Sequence, residues 1–442
     1  MLRLSTLFFF TLIFVVSSDS KKCAHNEDCG YLYTCQNSMC LHKSLFPLQP
    51  VEWIASVLIF LMSALANSTG LGGGEIMVPL LILLFFFDTH SAVPLSLVIM
   101  LGGNFIKTVM RIPERQRNID RPIIEYHLVA FTLAPLLIGA TTGFFVNRIL
   151  PDWFILALMT ALLFYLTLYI SQQALRVLNS SNQKQAVHFD HVQTVLDIET
   201  SVLKPFEQHG VFPKRPISII CAIFVFSLLF VFIRGDSSRA SILGIQYCSR
   251  NFWIVFGFRT LVLLGVSLNG IRVMTKRSQE LLDSNYSFEY DVRWNLKNSF
   301  FMVATAVLSG LGIGILGIGG SAIITPAMVY VGVNREVAKA TVGAAVFLTC
   351  SVTLIQYIFA GMLQLRYAVW FFLISLLGAS VGSWILTRMV HRFDKRAIPL
   401  VALTLILGIT TIITPTYVIT SIVKGISTEN FQYGFKNFCN TE

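Results

Sequence analysis

NSTGLGGGEIMVPLLILLFF, residues 67–86, sets four glycines and one glutamate inside a long apolar run. Glycine weakens helices, and a carboxylate in hydrocarbon is costly. Irregular, polar backbone is tolerated at membrane depth where it is buried in protein or lines a cavity. The stretch therefore reads as a membrane segment broken on purpose. The rest of the chain agrees: of 442 residues, 55% are hydrophobic and 13% charged, against about 25% charged in a soluble domain. Apolar runs lie at 91–110, 125–146, 152–178, 217–234, 251–271, 337–360, 366–387 and 398–423, with longer ones at 53–87 and 299–332. Runs of about 20 residues cross hydrocarbon as helices. The expected class is all-α, a polytopic helical membrane protein.

The formal net charge is +10. On a soluble domain this would suggest nucleic acid. Here Lys and Arg sit in short loops between apolar runs, which points to membrane orientation, so no nucleic-acid partner is expected. Residues 1–20 read as a signal peptide, with an uncleaved anchor as the alternative. That implies a plasma membrane or endomembrane reached through the secretory pathway. Residues 21–49 then form a lumenal or extracellular module. Its Cys23, Cys29, Cys35 and Cys40 suit two disulfides, with three pairings open. Zinc is the weaker reading, because no C-x-x-C pair is present.

The broken segment occurs twice. Setting Pro79 against Pro326 brings Gly73 onto Gly320 and Gly72 onto Gly319, and similar runs follow each copy. This divides the chain into a first membrane repeat (50–178), a cytosolic linker (179–216), two linker membrane helices (217–271), a cytosolic loop (272–297), a second repeat (298–423) and a lumenal tail (424–442). The basic loops hold Arg111, Arg115, Arg117 and Arg121; Lys184, Lys204, Lys214 and Arg215; Arg272, Lys276, Arg277, Arg293 and Lys297; Arg388, Arg392, Lys395 and Arg396. All of them fall on the cytosolic side only if 53–87 returns to the side it came from. Each broken segment is therefore expected to be a re-entrant hairpin, with limbs at 53–68 and 75–88 in the first. The two halves are then inverted, and their glycine tips approach from opposite faces, as in many secondary transporters. Cys248 and Cys439 both fall on lumenal segments and can pair.

At these residues, GLGGGEIMVPLL followed by AVPLSLVIMLGGN, and GILGIGGSAIITPAMV followed by AKATVGAAVFLTCSVTLIQYIFAGML, the chain resembles the sulfite exporter TauE/SafE family. The resemblance covers both repeats. It implies a permease for small sulfur-containing or organic anions, with sulfite, sulfoacetate and taurine-derived anions as the family's associated substrates.

Half-helix N-termini offer an anion free N–H groups and a partial positive charge. Gly72, Gly73, Gly74, Gly319 and Gly320 let backbone approach an oxyanion, and Ser321 adds a hydroxyl. The competing reading of the glycines is close helix packing. Ser96 and Thr341, at the small-residue starts of the following runs, line the path or pack. Glu75 is the candidate for proton coupling, or else it caps the second limb; its repeat partner is Ala322. Arg259 is expected to pair with Glu75 or to attract anions, Lys107 to snorkel to the cytosolic edge, and Gln356 to join helices. No paired intramembrane aspartates, no G-x-S-x-G and no metal cluster appear, so neither an enzyme nor a cofactor is expected. The alternatives to a permease are a receptor or scaffold that reads a ligand through the cysteine module, and an anion channel.

Overall fold

The computed structural model describes residues 23, 25, 29, 32–36, 39–69, 74–116, 121–184, 213–283, 292–393, 397–427, 434, 435, 438 and 439. The signal peptide, Gly72, Gly73 and most of the 179–216 linker lie outside the described residues. Among the described residues are twelve helices, nine of them long and apolar enough to cross a membrane.

A small β-hairpin comes first: β1 (Tyr33–Gln36) pairs with β2 (Met39–His42). It is stapled by Cys23–Cys35 and Cys29–Cys40, so one of the three open pairings is realised. Helix α1 (Pro50–Thr69) and the short α2 (Gly74–Leu84) follow. Next come α3 (Thr89–Arg111), α4 (Tyr126–Ile149) and α5 (Asp152–Lys184). Helices α6 (Lys214–Arg234) and α7 (Arg250–Asp283) lead to the second half. There α8 (Leu296–Leu316) and the short α9 (Ser321–Val331) precede α10 (Arg335–Phe359), α11 (Leu365–Phe393) and α12 (Ala397–Ser427).

The two broken segments share a plan. Each short helix has 11 residues with proline at its sixth position, Pro79 in α2 and Pro326 in α9. The limbs are less equal than the sequence suggests: α1 and α8 have 20 and 21 residues. At 1.5 Å per residue the long limbs run about 30 Å and the short ones about 16 Å. The helix starts and stops have local causes. Asp88 caps α3 by accepting from the Ser91 N–H, and Asn334 caps α10 by accepting from the Glu336 N–H. Gly317 ends α8 at φ 64°, in the left-handed region where a side chain is strained.

Glycines let the halves interlock. A Cβ on Gly139 of α4 would lie 2.9 Å from Leu311 N of α8, and one on Gly143 2.7 Å from Leu311 O. The same device joins α1 to α11, where a Cβ on Gly378 would lie 2.5 Å from Phe60 O. Backbone contact at this range is how membrane helices associate without a hydrophobic drive between them.

Both ends of the first hairpin lie on the face that carries the cysteine module. Glu52 of α1 accepts from Tyr367, and Phe85 beyond α2 packs on the same tyrosine. The α6–α7 connector and the end of α4 join this face through Arg148–Asp236, and Cys248–Cys439 ties the tail to that connector. Both ends of the second hairpin lie on the opposite face. Trp294, before α8, packs on Phe131 near the start of α4, and Gly332, after α9, faces Val292. Arg111–Glu336 and the bond from Glu125 N to Thr341 belong to that face as well.

Candidate functional site

The two breaks meet inside the bundle. Helix α2 opens at Gly74, and a Cβ there would lie 2.6 Å from Gly319 N and 3.0 Å from Gly317 O, and would overlap Met100 Sδ. Only glycine lets the first tip lie this close to the second. Side chains then fix the second tip. Ser96 Oγ of α3 donates to Val93 O and, at 2.8 Å, to Gly317 O. Ser309 Oγ donates to Gly320 O at 2.6 Å, and Tyr357 Oη to Gly314 O at 2.6 Å. The hydroxyls occupy these carbonyls, and the N–H groups of Ala322, Ile323 and Ile324 donate to the carbonyls of Gly319 and Gly320. Ser321 is buried at the start of α9, its hydroxyl 3.4 Å from Gly319 O.

The charged side chains nearest the tips, Glu75 and Lys107, come from the first half. Glu75 is buried in the first turn of α2, where the helix dipole favours a negative group. Lys107 of α3 does not snorkel to the edge. It is buried, and its stem runs along Gly343 of α10, where a Cβ would sit 3.3 Å from Lys107 Cε. A glycine opens the slot that takes the side chain inward, and the carboxylates of Glu75 and Glu336 act on its ammonium together with the cations Lys339 and Arg111. The expected Arg259–Glu75 pairing is not formed. Arg259 instead donates from Nη1 to Thr141 Oγ1 at 2.6 Å, and Gln356 Nε2 donates to the same oxygen at 3.0 Å. Gln356 thus joins α10 to α4. Thr341 is away from the tips and accepts from Glu125 N at 3.1 Å. Of the residues singled out in the sequence, Gly74, Glu75, Ser96, Gly319, Gly320 and Ser321 come together, and Arg259 and Thr341 stand apart.

The family model for the sulfite exporter TauE/SafE matches twice, over residues 55–225 and 217–412. The chain belongs to this family. Its relatives include sulfite exporter TauE/SafE family protein 3 of Arabidopsis thaliana, 24% identical over 422 residues, covering 90% of this chain and 85% of the relative. Family protein 1 of the same plant is 22% identical over 374 residues, covering 82% and 83%. No solved structure matches. The chain is therefore a multi-pass integral membrane protein of a transporter family.

Two features of this TauE/SafE-family chain escaped the sequence reading. The first is the mount of the cysteine module. His42 Nε2 lies 2.8 Å from Phe85 O, and its ring stacks on Phe87 at 4.3 Å and meets Tyr367 edge-on. Tyr33 donates to Phe86 O, and Lys43 pairs with the fully buried Glu52 at 2.7 Å. Burial pushes the His42 pKa down from 6.5, against the raising effect of its carbonyl partners and Glu52. The second feature is an arginine pair on the same face. Arg148 and Arg234 share Asp236 at 2.6 and 3.3 Å, and they lie against Phe144, Tyr247, Phe252 and Phe438. Sequence gave no signal for either, because both are assembled from helix ends and loops that are far apart in the chain. Ser309 was missed, and the course of Lys107 misjudged, for a different reason: their partners are a backbone carbonyl and a glycine slot, which leave no sequence pattern.

Proposed function

We propose that the chain is a permease for small sulfur-containing or organic oxyanions, such as sulfite and sulfonates, which pass between the two hairpin tips. The observation that carries this reading is the meeting of two half-helix starts, α2 at Gly74 and α9 at Ser321, with Gly319 N against Gly74. Two positive dipole ends converging on glycine backbone suit an anion without a permanent cationic trap. The names of the relatives, sulfite exporter TauE/SafE family proteins, favour sulfite as the first substrate to try.

Glu75 is the proton carrier in this reading. Ionised, it is stabilised by the dipole of α2 and by Lys107, and it repels an anion at the tips. Protonated, it leaves the tips positive. Anion entry and proton uptake are then linked through one carboxyl group. The test is flux of radiolabelled sulfite into proteoliposomes, with and without an imposed pH gradient, with sulfate and chloride for comparison. Gradient-dependent sulfite movement that disappears in Glu75→Gln supports the reading. Sulfite flux with no gradient dependence removes Glu75 from the cycle and returns the channel. No flux of sulfite or of an organic sulfonate overturns the permease.

A further inference from the structure

Helix α7 turns one stripe inward: Phe252, Arg259, Leu263, Ser267, Ile271, Met274 and Ser278. Arg259 is the one charged member of that stripe. It lies nine residues along the helix from Arg250, about 13 Å, and is 3% exposed. Nη1 is satisfied by Thr141, but Nε and Nη2 are buried with no hydrogen-bond partner among the described residues. The Oε1 of Gln356, which shares Thr141, is in the same condition. The charge that acts on Arg259 is another cation, Arg234. The nearby carboxylate, Asp236, is already held by Arg148 and Arg234.

An uncompensated guanidinium in a membrane interior is costly. Nε and Nη2 form one edge of the guanidinium, and that edge offers two parallel N–H groups at the spacing of two oxygens on one carboxylate, sulfonate or phosphate. Thr141 and Gln356 fix the opposite side of the fork, so the free edge has a set direction. We propose that the Nε–Nη2 edge of Arg259 is a binding site for an oxyanion group, separate from the hairpin tips and formed by α4, α7 and α10. Arg148 and Arg234 stand above it on the module-bearing face, two cations to one Asp236, and draw anions toward it. Phe252, on the same stripe as Arg259, already carries Arg234 over its ring at 5.2 Å. The site does not depend on transport through the tips, and its test reads binding rather than flux.

The oxyanion group can belong to a free anion or to a lipid headgroup, since both present the same two oxygens. The experiment is equilibrium binding of radiolabelled sulfite to the full chain in detergent after delipidation, with lipid phosphorus counted before and after. Arg259→Met is expected to lose one sulfite site, and to melt no lower than the parent in anion-free buffer, because a buried charge is gone. Arg259→Lys keeps the charge and loses the fork, so its affinity at that site should fall at least tenfold. If the undelipidated parent instead holds one phospholipid that Arg259→Met lacks, the site stands and its occupant is lipid. Unchanged sulfite stoichiometry and unchanged lipid in both variants would overturn the proposal. So would an Arg259→Met protein that binds as the parent does but melts well below it in every buffer, since that marks a brace for Thr141 and Gln356.

Discussion

The first hairpin tip is charged and the second is neutral. Both use an 11-residue half-helix with proline at the same position, and they meet backbone to backbone at Gly74 and Gly319. Beyond that shared frame they diverge. The first carries Glu75 and faces Lys107; the second begins Ser321-Ala322 and is held by hydroxyls from Ser309 and Ser96. Their far ends differ as well, since the first is covered by the cysteine module at His42 and the second faces Val292. The lesson is a division of labour. Geometry that both tips need is written in small residues and prolines. Chemistry that one tip suffices to supply is written once.

The sharpest way to break the comparison is to crowd the shared frame. Gly74→Ala puts a methyl group against Gly319 N, which is backbone and has no side-chain freedom to yield. Sulfite flux in proteoliposomes should fall more than a hundredfold while the protein still purifies as a single species. Flux within a few-fold of the parent would mean that the tips are not the path. Next in size is the charge. Glu75→Gln should leave sulfite binding intact and abolish the response of flux to an imposed pH gradient, and adding Ala322→Glu on the second tip should not restore it. Restoration would show the two tips to be interchangeable. A smaller effect is expected at the brace. Ser309→Ala removes one buried hydrogen bond to Gly320 O and should cost about 1 kcal/mol, read as a lowered melting temperature in detergent. An unchanged melting temperature would assign the rigidity of the second tip to packing alone.

The smallest effect concerns the far end of the first hairpin. His42 is held neutral by burial, so its pKa is lower when the module is docked than when it is free. Undocked His42 takes up a proton first as pH falls. Docking is therefore at full strength above 6.5, the ordinary imidazole value, and weakens as pH drops below it. Proteolysis of the module should accelerate between pH 7.5 and pH 5 in the parent. His42→Phe keeps a ring on Phe87 and should flatten that dependence; an equal acceleration in the variant would place the titration elsewhere.

How much of this was legible in the sequence follows from the kind of interaction. Helix breaks at Gly74 and Gly320 were legible, because glycine acts on the chain it sits in. The spans were legible from apolar length. The Cys248–Cys439 pair was legible from loop charge, which put both cysteines on one side. Limb length was misjudged: α1 runs on to Thr69 and α2 stops at Leu84. The inward course of Lys107 was not readable, since it depends on the absence of a side chain at Gly343, on another helix. Arg259 could be recognised as deep from its apolar neighbours, yet its partner could not be named. Thr141 is one of many threonines in these spans until the helices are assembled.

The Cys248–Cys439 bond joins residues 191 positions apart. Chains are made at about 5–20 residues per second, so Cys248 waits on the order of 10–40 s for its partner to be synthesised. In that interval six further helices, from α7 to α12, must be made and inserted. The bond therefore works as a completion mark for biosynthesis: it is available only to a chain whose second half has reached the membrane, and a non-reducing gel run on pulse-labelled protein would time that arrival.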